Sequence, residues 1–192
     1  MSEPDGELVR RAAQGDASAF AILVDRHERR VYNLGLRMLG DPDDASDVVQ
    51  DTFLAAFRRL STFRGEAAFT TWLHRIAVNA CYDALRARGR GPLLGSDHDA
   101  GEDASERTAP LADHADDAAG ALDVRRALLA VQPEYRAALV LHDVLDMAVD
   151  EVARVLGVPV GTVKSRLHRG RVSLGRAMGV REPGGRGNPS NG

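Results

Sequence analysis

The stretch 160–176, VGTVKSRLHRGRVSLGR, carries five Lys and Arg side chains and no acid. Wound as a helix at about 100° per residue, it sorts into two sides. Val160, Val163, Leu167, Gly170 and Leu174 share one side and must face a core. Ser165, His168 and Arg169 point away from it, Thr162 and Lys164 flank that outer face, and Arg166 and Arg171 lie at its boundary. A row of donors on a basic helix can read base edges in a major groove, with boundary arginines on phosphates. A solvated surface helix has the same basic content, so the residues ahead of it decide. Asp150–Leu156 predicts a short helix with Val152, Ala153 and Leu156 facing inward, Gly157 a turn, and Val158-Pro159 the lead into the second helix. That is the layout of a helix-turn-helix. His168 has no partner at ligand or proton-relay spacing, so it reads as a polar donor rather than a catalytic or metal histidine.

A second group lies upstream. The segment Trp72 to Arg88 predicts a helix with Arg75, Asn79, Tyr82 and Arg86 on one face. Just before it sits FRGEAAF, the loop Phe63, Arg64, Gly65, Glu66, Ala67, Ala68 that runs into Phe69. Basic groups interleaved with aromatics suit single-stranded nucleic acid, where bases stack and the backbone meets arginine. A loop beside such a face can also hold a flipped base. Phe69, Trp72 and Ile76 share an apolar stripe, which assigns Trp72 to the core rather than to a stacking platform.

A third group is acidic. Asp44, Asp47, Gln50 and Asp51 fall along one helix that opens DPDDASDVVQD. Acids near a helix N-terminus complement its dipole. Asp51 is past the first turn, and phosphate would repel the row, so the carboxylates are expected to face a basic protein surface.

These groups need helices to hold them. Asp16 can cap a helix whose stripe is Phe20, Leu23, Val24, His27, Val31, Leu34 and Met38, ended by Gly40. Asp41-Pro42 starts the next, as N-cap and first helical residue, with Val49, Phe53, Phe57 and Leu60 as its inward stripe. The Trp72 helix ends at Gly89. Residues 90–121 lack sustained periodicity and are rich in Asp, Ala and Gly, the composition of a flexible, solvated linker. A second helical set begins near Leu122, with Pro133 opening a helix through Tyr135, Leu139, Leu141 and Val144. The end of the chain from Gly179 reads as disordered. No segment has strand period. The expected fold is therefore all-α: two small helical domains, 5–89 and 122–178, joined by a flexible acidic linker.

The 192 residues are 44% apolar and 28% charged, ordinary for a globular chain. No apolar run approaches the ~18–20 residues that span a bilayer, and the N-terminus lacks the layout of a secretion signal. A single cysteine, Cys81, excludes an internal disulfide and a Cys-rich zinc site; its apolar flanks predict a buried thiol rather than a redox switch. No phosphate-cradling Gly loop, metal cluster or nucleophile–base pair is present, so neither cofactor nor catalysis is expected. A cytoplasmic location follows as the default. The net charge of −3 is uneven: residues 91–121 carry −7 and residues 122–192 carry +4. A nucleic-acid reader is judged by where its charge sits.

Three segments, in this order and spacing, resemble an extracytoplasmic-function (ECF, group IV) sigma factor of the sigma-70 family. They are GDASAFAILVDRHERRVYNLGLRMLGD, DASDVVQDTFLAAFRRLSTFRGEAAFTTWLHRIAVNACYDALR and VARVLGVPVGTVKSRLHRGR. The resemblance covers roughly residues 5–89 and 122–178. It implies a subunit that binds core RNA polymerase, directs it to promoters and aids melting. The first domain would dock on the polymerase clamp through Asp44, Asp47, Gln50 and Asp51. The same domain would recognise the −10 element, the loop Phe63–Ala68 holding a flipped non-template base and Asn79 contributing beside Arg75 and Arg86. The second domain would read the −35 duplex with Lys164, Ser165, His168 and Arg169, and Thr162, Arg166 and Arg171 beside them. An anti-sigma factor, often membrane-bound, is the implied regulator. A free linker of about 31 residues would average ~30 Å end to end, so bridging two promoter elements needs it held extended. The other reading of the same residues is a helix-turn-helix regulator with an N-terminal sensing or dimerisation domain.

Overall fold

The computed structural model describes residues 3–63, 65, 67–89 and 119–179. Arg64 and Glu66, most of the expected linker and the end of the chain from residue 180 lie outside the described residues. The described residues form eight α-helices: α1 (Asp5–Ala13), α2 (Ala17–Leu39), α3 (Pro42–Arg59), α4 (Phe69–Ala87), α5 (Ala119–Ala130), α6 (Pro133–Leu139), α7 (Val149–Leu156) and α8 (Val160–Ala177). No strand occurs among the described residues. The all-α expectation holds, and α5 begins ahead of Leu122.

The helix starts follow from local chemistry. The Asp16 carboxylate accepts from the Ser18 and Ala19 amides at the head of α2. Hydrogen bonds from Ser18 and Arg11 hold that carboxyl well below its ordinary range. Asp41 does the same for Asp43 and Asp44, with Pro42 in the first turn of α3. Gly40 ends α2 at φ +80°, a left-handed backbone that side chains rarely adopt.

α2, α3 and α4 pack against one another, with α1 laid mainly on α2, to form the first unit. Leu23, Val31, Leu34 and Met38 of α2 are fully buried, with Leu8 of α1 and Leu73 of α4. Burial of each such side chain contributes on the order of 1.5–3 kcal/mol. The inward stripe of α3 differs from expectation. Ala45, Val48, Thr52, Phe53, Ala56 and Leu60 are buried, whereas Val49 is half-buried and Phe57 is 54% exposed. Small residues on this side let α3 approach α2 closely, and that rotates Phe57 outward to rest edge-on against Phe20, 5.0 Å between centroids. In α4, Phe69 and Leu73 are buried as expected, while Trp72, Ile76 and Ala80 are half-buried and a second stripe, His74, Val78, Cys81 and Leu85, is buried on another side. α4 is covered on two faces because α7 packs on it. Cys81 is inaccessible, and burial pushes its thiol up to about 12.

α6 and α8 cross closely in the second unit. A Cβ on Gly170 would lie 3.0 Å from Leu139 Cγ and 3.3 Å from the Tyr135 carbonyl, so only glycine fits that crossing without a shift. α6 runs on into a π-helical turn, Val140–Val144. In α7 the buried residues are Val152, Ala153 and Val155, with Leu156 half-buried.

Two histidines are enclosed. His27 is 2% exposed, with Nε2 2.7 Å from an Asp5 oxygen. Burial lowers its pKa in spite of that carboxylate. His74 is 5% exposed, and its Nδ1 makes no hydrogen bond among the described residues. Burial, then the charges of His27 and Arg30, lower it from 6.5 to about 4. A depressed histidine stabilises the fold above its unfolded value and loses that contribution as pH falls towards the folded value. Stability should therefore fall by roughly 3 kcal/mol between pH 6.5 and 4 from His74. Urea denaturation at pH 7.5 and pH 4.5 checks this, and His74→Leu should flatten the dependence.

Candidate functional site

α7, the Gly157 turn and α8 form the helix-turn-helix. Val163, Leu167 and Gly170 are buried and Leu174 half-buried, which fixes the rotation of α8. Val160, expected inward, is 42% exposed because it is the first residue of the helix and lies beyond the core. Lys164, Ser165, His168 and Arg169 are exposed together on the outer face, and Thr162 and Arg166 are half-buried at its edges. The Ser165 hydroxyl donates to the Gly161 carbonyl at 3.0 Å. Arg169 donates to the Tyr135 hydroxyl at 3.3 Å. Arg171 is engaged more firmly: its guanidinium donates twice to the Asp143 carboxylate, at 2.7 and 3.1 Å. That bidentate pair raises its pKa and ties Arg171 to Asp143.

At the other unit, Arg75 and Asn79 are exposed on α4. Arg86, on the same expected face, is half-buried and ion-paired with Asp83. Tyr82 turns away from them: burial pushes its phenol above its ordinary range, with the charge of Arg166 acting on it from α8. The loop ahead of α4 is pinned by rings. Phe63 lies 6.0 Å from Phe69 and 5.2 Å from Trp72, centroid to centroid. Trp72 packs against the core as its stripe predicts. Gly65 takes φ +71°, and Ala68 is exposed beside it.

The acidic row divides. Asp44 is half-buried and ion-paired with Arg88 at the end of α4, so it braces the unit. Asp47, Gln50 and Asp51 are exposed. Leu54, 48% exposed, and Phe57 continue the same face of α3. The spacing 47, 50, 51, 54, 57 is itself a helical stripe; treating Phe57 as core hid it. An exposed acidic row ending in large apolar side chains has the make-up of a protein-docking face.

Among the described residues no helix is long and apolar enough to cross a membrane. Two family models match the chain: Sigma-70 region 2 over residues 23–91 and Sigma-70, region 4 over residues 121–174. The ECF RNA polymerase sigma factor SigM of Mycobacterium tuberculosis is 39% identical, over 94% of this chain and 87% of its own. The RNA polymerase sigma-H factor of Pseudomonas aeruginosa is 34% identical, over 92% and 94%. ECF sigma factor SigW of Bacillus subtilis is 31% identical, over 88% and 94%. Among solved structures, CnrH in complex with the cytosolic domain of CnrY superposes with a TM-score of 0.66 at 27% identity, over 94% of this chain and 100% of that one. RpoE of Bartonella quintana, in complex with the anti-sigma factor NepR, superposes with a TM-score of 0.61 at 25% identity, over 84% and 95%. With both sigma-70 regions in order and relatives matched along nearly their whole length, the chain belongs to the extracytoplasmic-function RNA polymerase sigma factors.

Proposed function

We propose that this sigma factor divides promoter recognition between residues 5–89 and 122–178. The exposed face of α3, Asp47, Gln50, Asp51, Leu54 and Phe57, docks on core RNA polymerase, with Asp44 holding that helix to α4. The loop 63–68 takes a flipped −10 base of the non-template strand, and Arg75 and Asn79 contact the strand beside it. Lys164, Ser165, His168 and Arg169 read the −35 duplex, with Thr162 and Arg166 at the edge. Arg86 and Arg171 act behind these surfaces, through Asp83 and Asp143. The chain supplies specificity and melting and has no catalysis of its own. It works in the cytoplasm, and an anti-sigma factor controls it, as in the RpoE complex with NepR; membrane attachment would come through that partner.

The observation that carries this reading is the placing of unlike surfaces on separate elements of one chain. A basic donor face lies on α8, a basic and amide face on α4, and an acidic–apolar face on α3. A plain helix-turn-helix regulator has use for the first alone. Promoter DNA and core polymerase mixed with this protein should yield transcripts without any other sigma factor. A transcript that appears only on adding one would favour the regulator instead.

Lys164→Ala and Arg169→Ala should each weaken −35-dependent initiation by about tenfold, since a base-edge contact is worth ~1–3 kcal/mol. Run-off transcription on promoters with and without the −35 element separates this from a general loss. Asp47→Lys with Leu54→Ser should reduce core-polymerase affinity at least tenfold. The same pair should move the unfolding free energy by only about 0.5 kcal/mol, as exposed sites do. Polymerase titration and urea denaturation read the two effects.

A further inference from the structure

A pocket of about 380 Å³ lies where α2 and α4 face the turn that leads into α7. Its volume is within the ~300–1,000 Å³ usual for small-molecule sites. Arg30 of α2 and Thr70, Thr71 and His74 of α4 line one side. Val144, Leu145, Asp146 and Met147 of the turn, with Glu151 of α7, line the other. None of the residues assigned above to polymerase or promoter lines it.

The first side suits an anion. Thr70 and Thr71 lie in the first turn of α4, and Ala68 at the N-cap provides no capping side chain. The N–H groups of that turn carry the partial positive charge of a 19-residue helix. Arg30 adds a full charge, close enough to act on His74. His74 is an independent sign of an occupant. It is 5% exposed, it lines the pocket, and its Nδ1 makes no hydrogen bond among the described residues. A buried polar atom left unpaired costs stability, and an occupant that pairs with it removes that cost. Burial, then the charges of His27 and Arg30, keep the ring neutral at pH 7, so it can donate from one nitrogen and accept at the other.

The second side is acidic and apolar, and it is held in place. The Glu151 carboxylate accepts from the Ala148 amide at 3.0 Å. The Met147 amide donates to the Leu141 carbonyl at 3.1 Å, and the Met147 carbonyl pairs with His142 Nδ1 at 2.7 Å. Asp146 takes φ +54°, a left-handed backbone that Asp and Asn tolerate better than most side chains. Its carboxylate and that of Glu151 would repel a simple anion such as phosphate. Arg30 and the start of α4 would repel a simple cation. A molecule with both charges satisfies the two sides together, with an aliphatic part against Val144, Leu145 and Met147.

We propose that this pocket binds a small zwitterion of the free α-amino acid class. Its carboxylate meets Arg30 and the first turn of α4, its ammonium meets Asp146 and Glu151, and its aliphatic side chain lies on the turn.

The probe is L-leucine, with two analogues that each lack one charge: isocaproate has no amine, and isoamylamine has no carboxylate. Each is titrated at neutral pH into the isotope-labelled full chain and followed by NMR. L-leucine should move the amide resonances of Thr70, Thr71, Asp146 and Met147 and saturate them. Each analogue should bind about tenfold more weakly, the loss of one charge-assisted hydrogen bond. Arg30→Gln should weaken L-leucine to a similar degree and leave isoamylamine unchanged. Asp146→Asn, which keeps a residue suited to the left-handed backbone, should weaken L-leucine and leave isocaproate unchanged. Both positions are exposed, so the fold should survive either change. No movement of those four resonances at ~10 mM L-leucine overturns the proposal, the pocket then holding water alone. Binding of either analogue as tight as that of L-leucine also overturns it, because one charge would then suffice. So does undiminished L-leucine binding by both variants, which would put the ligand elsewhere.

Discussion

The guanidinium of Arg136 is where two helical units become one molecule. It is buried, and three backbone carbonyls from two chain segments converge on it. Two of them, Leu129 and Val131, lie at the end of α5, so the same side chain that reaches α2 also ties α5 to α6. A buried cation is tolerated only where dipoles replace its water. The end of a 23-residue helix is such a place. The left-handed Gly40 that stops α2 lies at that junction, and α4 packs on α7.

Charge is distributed around the junction by task. Basic donors lie on the outward faces of α4 and α8, where phosphate would meet them. Acid lies on α3, where phosphate would be repelled and a basic protein surface attracted. Several charges in these faces are spent inside the molecule instead: Asp44 on Arg88, Arg86 on Asp83, Arg171 on Asp143. Exposed pairs of this kind add little to stability. They do hold side chains in place, and so set which neighbours remain free to bind.

Much of this was legible along the chain. The caps Asp16 and Asp41, the stop at Gly40, the turn at Gly157 and the outer face Lys164, Ser165, His168, Arg169 follow from residue type and helical period, which act locally. Phe57 and Tyr82 were placed by period alone, and each sits where a stripe is wide enough to point to either side, whereas Val160 is exposed because it opens α8 beyond the core. Phe57 turned outward because Ala45 and Ala56 allow α3 to settle close on α2. Tyr82 turned inward because a second unit covers α4. The exposed stripe through Leu54 was missed for the same reason as Phe57.

The sequence by itself determined that the chain is helical, the order of its main helices, the caps that start α2 and α3, the stops at Gly40 and Gly157, and the family to which the chain belongs. Those depend on dipoles, caps and apolar spacing within a few turns. Only the tertiary structure decided which charged groups face outward and which are paired, and that α2 ends beneath arginines from the far half of the chain. Contacts between Met38 and Arg136 join residues far apart in sequence, and no local period records them. Packing alone chooses among the rotations that each amphipathic helix leaves open.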